Sequence, residues 1–171
     1  MSGDWNRTIR LNEIGRGLTL TLAPDGATRA SLARQLDLKG LPAFSAEVTL
    51  KPWLDGVEVT GRFKAVVEQV CGLSLEPFEQ PLEGVIEVRA VPPGSTMGAP
   101  EGDEIELDPD APDPPDVLDG DAIDVAAYVV EHLALEIDPF PRKPGASFDY
   151  MPPETEESPF SVLKKLKDPK R

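Results

Sequence analysis

From Val57 to Glu68 apolar and polar residues alternate, and this alternation limits the possible folds more than any other stretch of the chain. Val57, Val59, Phe63, Ala65 and Val67 fall on one side of an extended backbone, and Glu58, Thr60, Arg62, Lys64 and Glu68 on the other. A period of two residues marks a strand with one buried face. Its neighbours extend the pattern. Phe44, Ala46, Val48 and Leu50 alternate with Ser45, Glu47 and Thr49, and Asp55-Gly56 supplies a turn between the two runs. A second reversal falls between Gly72 and Pro81. Ile86, Val88 and Ala90 then continue the alternation until Pro92-Pro93 ends it. Three strands joined by short turns predict an antiparallel meander. Leu18, Leu20 and Leu22, alternating with Thr19 and Thr21, predict a further strand before it.

Two segments switch to the helical period. In Thr28–Leu38 the residues Leu32, Ala33 and Leu36 share a face and Gly40 is the expected stop. That leucine stripe reads as core rather than as a partner surface. In Ile123–Ile137 the residues Ile123, Ala127, Val130, Ala134 and Ile137 follow helical spacing, and Ala126, Val129 and Leu133 widen the stripe. Asp121 is expected to cap the start, Asp124 to sit near the positive helix end, and Pro139 and Pro141 to terminate it. The expected fold is α+β: an antiparallel sheet or partly closed barrel of four or five strands, with two main helices packed on it.

The remaining segments are of a different kind. Residues 93–118 are rich in Asp, Glu and Pro, and no Lys or Arg falls between Ser95 and Asp121. Such a segment buries too little apolar surface to offset its ordering entropy, so a long mobile loop is expected there. Hydrophobic residues make up 40% of the chain, below the roughly 45–50% of globular domains, as a core diluted by such segments would give. One domain is expected over residues 1–150, the acidic loop included. Residues 151–171 are expected to form a flexible Pro- and Glu-rich spacer and a tail. The tail, Pro159–Arg171, sets Phe160, Leu163 and Leu166 among five cations and one acid, a balance of +4.

Charge narrows the partners. A formal net charge of −14 argues against tracking a phosphate backbone, which needs clustered Lys and Arg. It suits a basic partner, of which ribosomal proteins are a common class. It is equally what solubility alone would ask for. No apolar run reaches the roughly 18–20 residues of a bilayer span, and Met1–Arg10 lacks the apolar region of a signal peptide. The single cysteine, Cys71, excludes an internal disulfide and fits a reducing cytoplasm. A cytoplasmic monomer is expected.

No catalytic constellation is visible. His132 is the sole histidine and lies on the polar side of its helix, so it reads as a surface histidine rather than the base of a triad. Cys71, at a strand end, reads as a small packed or half-exposed thiol rather than a nucleophile. Gly94-Ser95-Thr96-Met97-Gly98 has no following Lys and is not a phosphate loop. The acidic stretch lacks the spacing of a calcium loop. Two features point instead to binding. One is Asp138-Pro139-Phe140-Pro141-Arg142-Lys143, a stiff turn presenting Arg142 and Lys143 straight after a helix. The other is the tail, where Phe160, Leu163 and Leu166 are interleaved with Lys164, Lys165 and Lys167.

Four stretches carry a resemblance. Gln69-Val70-Cys71-Gly72-Leu73-Ser74-Leu75-Glu76-Pro77-Phe78 resembles the central motif of the bacterial YceD family, the large ribosomal RNA subunit accumulation proteins. Gly120-Asp121-Ala122-Ile123-Asp124-Val125, with Glu131-His132-Leu133-Ala134-Leu135, resembles its second motif. Asp138-Pro139-Phe140-Pro141-Arg142 is similar to the Pro-rich turn that follows. Ser158-Pro159-Phe160-Ser161-Val162-Leu163-Lys164-Lys165-Leu166-Lys167 is similar to the family's closing motif, with Ser158 in place of Asn. The matches run in order over roughly residues 18–167.

The resemblance implies a non-catalytic role in making or retaining large-subunit ribosomal RNA, and it supplies no catalytic residue. It marks Gln69, Cys71, Pro77, Asp124, Glu131, Leu133, Pro139 and Pro141 as motif positions of unassigned role. Several relatives carry Cys-x-x-Cys where this chain has Cys71-Gly72-Leu73-Ser74, and a zinc site needs four donors, so no metal and no cofactor are expected. The expected partner is a ribosomal or pre-ribosomal protein, with ribosomal RNA as a possible second contact and neither DNA nor membrane. A generic acidic adaptor, docking through its C-terminal tail, is the alternative.

Overall fold

The computed structural model of the protein describes Trp5, residues 7–96 and residues 114–147. Its elements are β1 (Thr8–Arg10), a 3-10 turn (Leu11–Glu13), β2 (Leu18–Leu22), α1 (Gly26–Gln35), β3 (Gly40–Trp53), β4 (Gly56–Val70), β5 (Pro77–Val91), β6 (Asp116–Val117), β7 (Ala122–Asp124) and α2 (Val125–Glu136). Most of the acidic stretch (residues 97–113) and the spacer and tail from residue 148 onward lie outside the described residues.

The meander forms where the alternation predicts it. β3, β4 and β5 pair antiparallel, with Trp53 opposite Gly56 at one turn and Val70 opposite Pro77 at the other. Gly56 is required at its turn, because a Cβ there would collide with the Ala90 carbonyl oxygen. β2 pairs antiparallel with β3, bringing Leu20 opposite Val48. The five-stranded sheet runs β2-β3-β4-β5-β6 and stays open, so the barrel alternative is not realised. β6 departs from the expected antiparallel pattern: it pairs parallel with Ala90 and Val91 after a crossover. Asp116, Val117 and the buried Leu118 are therefore structured, where the sequence predicts the end of a loop.

One face of this sheet makes the core. Val57, Val59, Phe63, Ala65 and Val67 are buried, and Glu58, Thr60, Arg62, Lys64 and Glu68 are not. α1 covers β3 with Leu32 and Ala33, and α2 covers β5 and β4 with Val125, Ala126, Val129, Val130 and Leu133. Trp5, Phe44 and Phe63 form an aromatic row, with ring centroids 5.2 Å and then 6.3 Å apart. The other face is wet. It carries a Thr19–Thr49 hydroxyl contact of 3.2 Å, a Glu58–Arg89 ion pair of 3.0 Å, and Arg89 stacked over Trp53.

Both helices differ from expectation at their ends. α1 begins earlier because Asp25 caps it, its carboxylate accepting from the Thr28 N–H at 2.8 Å. It stops at Gln35 and does not run on towards Gly40. Asp37 takes a left-handed φ of 54°, and the Leu38 N–H donates to the Ala33 carbonyl at 2.8 Å, which is the Schellman closure with Asp in the usual glycine position. α2 begins at Val125, capped by Asp124 through the Ala127 N–H at 3.1 Å, and Asp121 does not cap it. Ile123 belongs to β7 and pairs with Ile9 of β1 in a separate two-stranded sheet. A stripe phased from a strand residue is rotated out of register, which is why Ala127 and Ala134 are exposed.

Candidate functional site

At Val70 the main sheet runs out and the chain must reverse. Cys71–Glu76 makes that reversal, closed by Cys71 N–H to Glu76 O and Leu75 N–H to Cys71 O, each 2.9 Å. Leu75 takes a φ of 60°, a left-handed conformation that a non-glycine residue adopts only when its surroundings enforce it. The Cys71 sulfur lies inside the turn and accepts from the Leu73 and Ser74 N–H groups at 3.4 Å each. The side chain and N–H of Ser74, and then the N–H of Lys143, hold the thiol down to about 6, against a burial effect that raises it. Cys71 is fully buried, which decides for the packed alternative over the half-exposed one, and it is a polarised thiol rather than an apolar filler.

The turn after α2 is stitched to this reversal. The Gly72 N–H donates to the Pro141 carbonyl at 2.9 Å, Gln69 Nε2 donates to the Asp138 carbonyl at 3.0 Å, and Lys143 Nζ pairs with Glu76 at 2.8 Å. Asp138 shapes its own turn by accepting from the Phe140 N–H at 2.8 Å. The ion pair lowers the Glu76 pKa and raises that of Lys143. Gln69, Cys71, Pro77, Pro139, Pro141, Arg142 and Lys143 are thus gathered at one corner of the molecule. Arg142 is exposed there. Lys143 is already engaged by Glu76, whereas the sequence presents it as a free cation.

The other motif positions serve the fold. Asp124 is the α2 cap and Leu133 is fully buried core. Glu131 is exposed beside Tyr128. Burial first, and then the Asp116 carboxylate, push Tyr128 up to about 12. His132 is half-buried, with Nδ1 2.8 Å from the Tyr128 carbonyl of its own helix. Among the described residues no three of His, Cys, Asp and Glu are grouped to hold a metal ion. Phe160, Leu163, Lys164, Lys165, Leu166 and Lys167 lie outside the described residues.

Two features of the corner escape the sequence reading. A groove of about 560 Å³ runs between the end of α1, the end of β4 and the Pro139–Pro141 turn. Gln69 lines it and is 8% exposed, yet its Oε1 has no hydrogen-bond partner. A buried acceptor left without a donor costs about 1–3 kcal/mol. The second feature is a set of exposed apolar side chains: Val70 is 44% exposed, Leu75 76% and Phe140 79%. A signal for Gln69 exists in the sequence, since position 69 continues the phase of Val57, Val59, Phe63, Ala65 and Val67. A polar residue in an apolar phase is the anomaly to notice.

Compared with known protein families, residues 59–167 match the one described as "Large ribosomal RNA subunit accumulation protein YceD". The chain belongs to the YceD family. The match starts inside β4, so β1 to β3 and α1 precede it, and the span is shorter at its start than the resemblance suggested. Its description ties the YceD family to accumulation of large-subunit ribosomal RNA rather than to a known enzymatic activity. Curated proteins gave no match, and solved structures gave none. No helix among the described residues is long and apolar enough to cross a membrane.

Proposed function

We propose that the protein supports synthesis, processing or accumulation of large-subunit ribosomal RNA as a binding factor, with no chemistry of its own. The observation that carries this reading is the convergence of the YceD-family positions Gln69, Cys71, Pro139 and Pro141 at one corner. That corner holds a groove and exposed apolar side chains but no nucleophile paired with a base. A ribosomal or pre-ribosomal protein is the favoured partner, because the net charge of −14 attracts basic proteins and repels bare RNA. Arg142 and the basic tail, with Phe160, Leu163, Lys164, Lys165, Leu166 and Lys167, are the parts suited to an RNA or acidic surface. Neither DNA nor membrane is expected as a partner. The working unit is a cytoplasmic monomer without cofactor or metal.

Gradient sedimentation of a lysate, with the protein located among the particles, tests the reading together with the ratio of large- to small-subunit RNA in cells that lack it. Salt-sensitive co-sedimentation and a lowered ratio are expected. A protein that never sediments with particles, in cells of normal ratio, would instead be an acidic adaptor docking other partners through its tail.

A further inference from the structure

We propose that the groove at the stitched corner is a docking site for a basic, extended segment of a protein partner. The inference rests on the binding reading above and adds the place and the chemistry of the contact. Its first support is Gln69. The Nε2 group is fixed on the Asp138 carbonyl, and turning the amide over would set oxygen against oxygen, so the orientation is determined. The orphaned Oε1 can only accept, and the group that satisfies it must bring an N–H. Gln69 lines the groove and its oxygen is closed off from solvent, so an occupant has to part the lining to reach it.

The wall itself favours a donor-rich occupant. Pro139 and Pro141 have no N–H, so this side of the groove offers ring carbons and no competing donor from those two residues, while the Asp138 and Pro141 carbonyls are already engaged by Gln69 and Gly72. Asp37 and Asp138 line the groove against Lys39, an excess of one acid, and the chain as a whole is negative, while Arg142 stands exposed outside the lining at the same corner. Val70, Leu75 and Phe140 stand exposed at the same corner and offer apolar contacts to a segment leaving the groove. An extended chain carrying Arg or Lys between aliphatic residues meets all three demands: backbone or guanidinium N–H for Gln69, positive charge for Asp37 and Asp138, and methyl groups for Val70 and Phe140.

The test uses the purified full-length protein and three labelled probe peptides. One alternates Arg with Leu and Val, one carries Glu in place of each Arg, and one is the chain's own Pro159–Arg171. Binding is read by anisotropy and by the Gln69 side-chain amide signals in NMR, neither of which depends on ribosomes. The Arg peptide should bind more tightly than the Glu peptide and shift the Gln69 signals. The surface variants Val70→Ser and Phe140→Ser should each raise its Kd by about tenfold, or about 1.4 kcal/mol, the loss of one anchoring side chain. Both should melt like the unaltered protein. Binding indifferent to these substitutions, unshifted Gln69 signals, or equal binding of the Glu peptide overturns the proposal. So does binding of the tail peptide alone, which would make the groove a seat for the chain's own C-terminus. If the groove fails while particle association and RNA ratios behave as expected, the ribosomal reading stands and the contact lies elsewhere.

Discussion

Phe63 faces Gly84 directly across β4 and β5, and a Cβ added to Gly84 would lie 2.5 Å from Phe63 Cε1 and 2.7 Å from Cζ. The ring occupies the space that a side chain on the neighbouring strand would need. Phe63→Ala should cost about 3–5 kcal/mol, the range for a buried aromatic truncated to Ala. Gly84→Ala should cost about 1–3 kcal/mol, because it overpacks a fixed ring. The two together should cost less than their sum, because the smaller residue at 63 makes room for the methyl at 84. Urea denaturation of the two single variants and the double variant measures all three. Strict additivity would show that the ring has other room to move.

The cap of α2 gives a cleaner contrast. Asp124→Ala should cost about 0.5–2 kcal/mol, through loss of the bond to the Ala127 N–H. Asp121→Ala should stay within about 0.5 kcal/mol, as an exposed residue outside the helix. Thermal melts of both variants decide which aspartate starts the helix.

Cys71 should make stability depend on pH. Its pKa falls from 9.0 in the unconstrained thiol to about 6 in the fold, so the native state favours the thiolate. The contribution is fully present above about 9 and is lost as the pH falls through about 6. Melting temperature should therefore rise with pH across that window, and Cys71→Ala should flatten the rise. A slope unchanged in the variant would assign it to other groups.

The tail and Arg142 should matter for association and not for folding. Deleting Pro159–Arg171 should leave the melting curve in place and weaken co-sedimentation with pre-ribosomal particles. Lys164→Glu with Lys165→Glu, and separately Arg142→Glu, should weaken it in a salt-dependent way, since exposed charges are screened over about 8 Å at physiological ionic strength. Sedimentation equal to that of the unaltered protein would remove these residues from the interface.

How legible each part was follows from the length of its pattern. β3, β4 and β5 could be read from Phe44–Leu50, Val57–Glu68 and Ile86–Ala90, where two-residue alternation is plain, but their full lengths could not, and Pro77–Val85 of β5 carried no such signal. β1 and β7 could not, because three residues hold no period; Ile9 and Ile123 find each other only through the fold. Ile123 satisfied a helical stripe and a strand equally well, and the strand won because Asp124 caps the next residue onward. At the corner, the Pro-rich turn and Cys71 were visible as motif residues. The bond from Gln69 to Asp138 joins positions 69 residues apart, and no local pattern encodes it. Glu76 likewise gave no sign that it would take Lys143 out of circulation.

The links between Gln69–Glu76 and Asp138–Lys143 work as a clasp on a necklace. They hold both ends of a circuit that contains β5, the acidic stretch, β7 and α2. The groups that fasten the clasp all belong to residues 69–76 and 138–143. A change of length or charge confined to residues 97–113 should therefore leave this corner as it is.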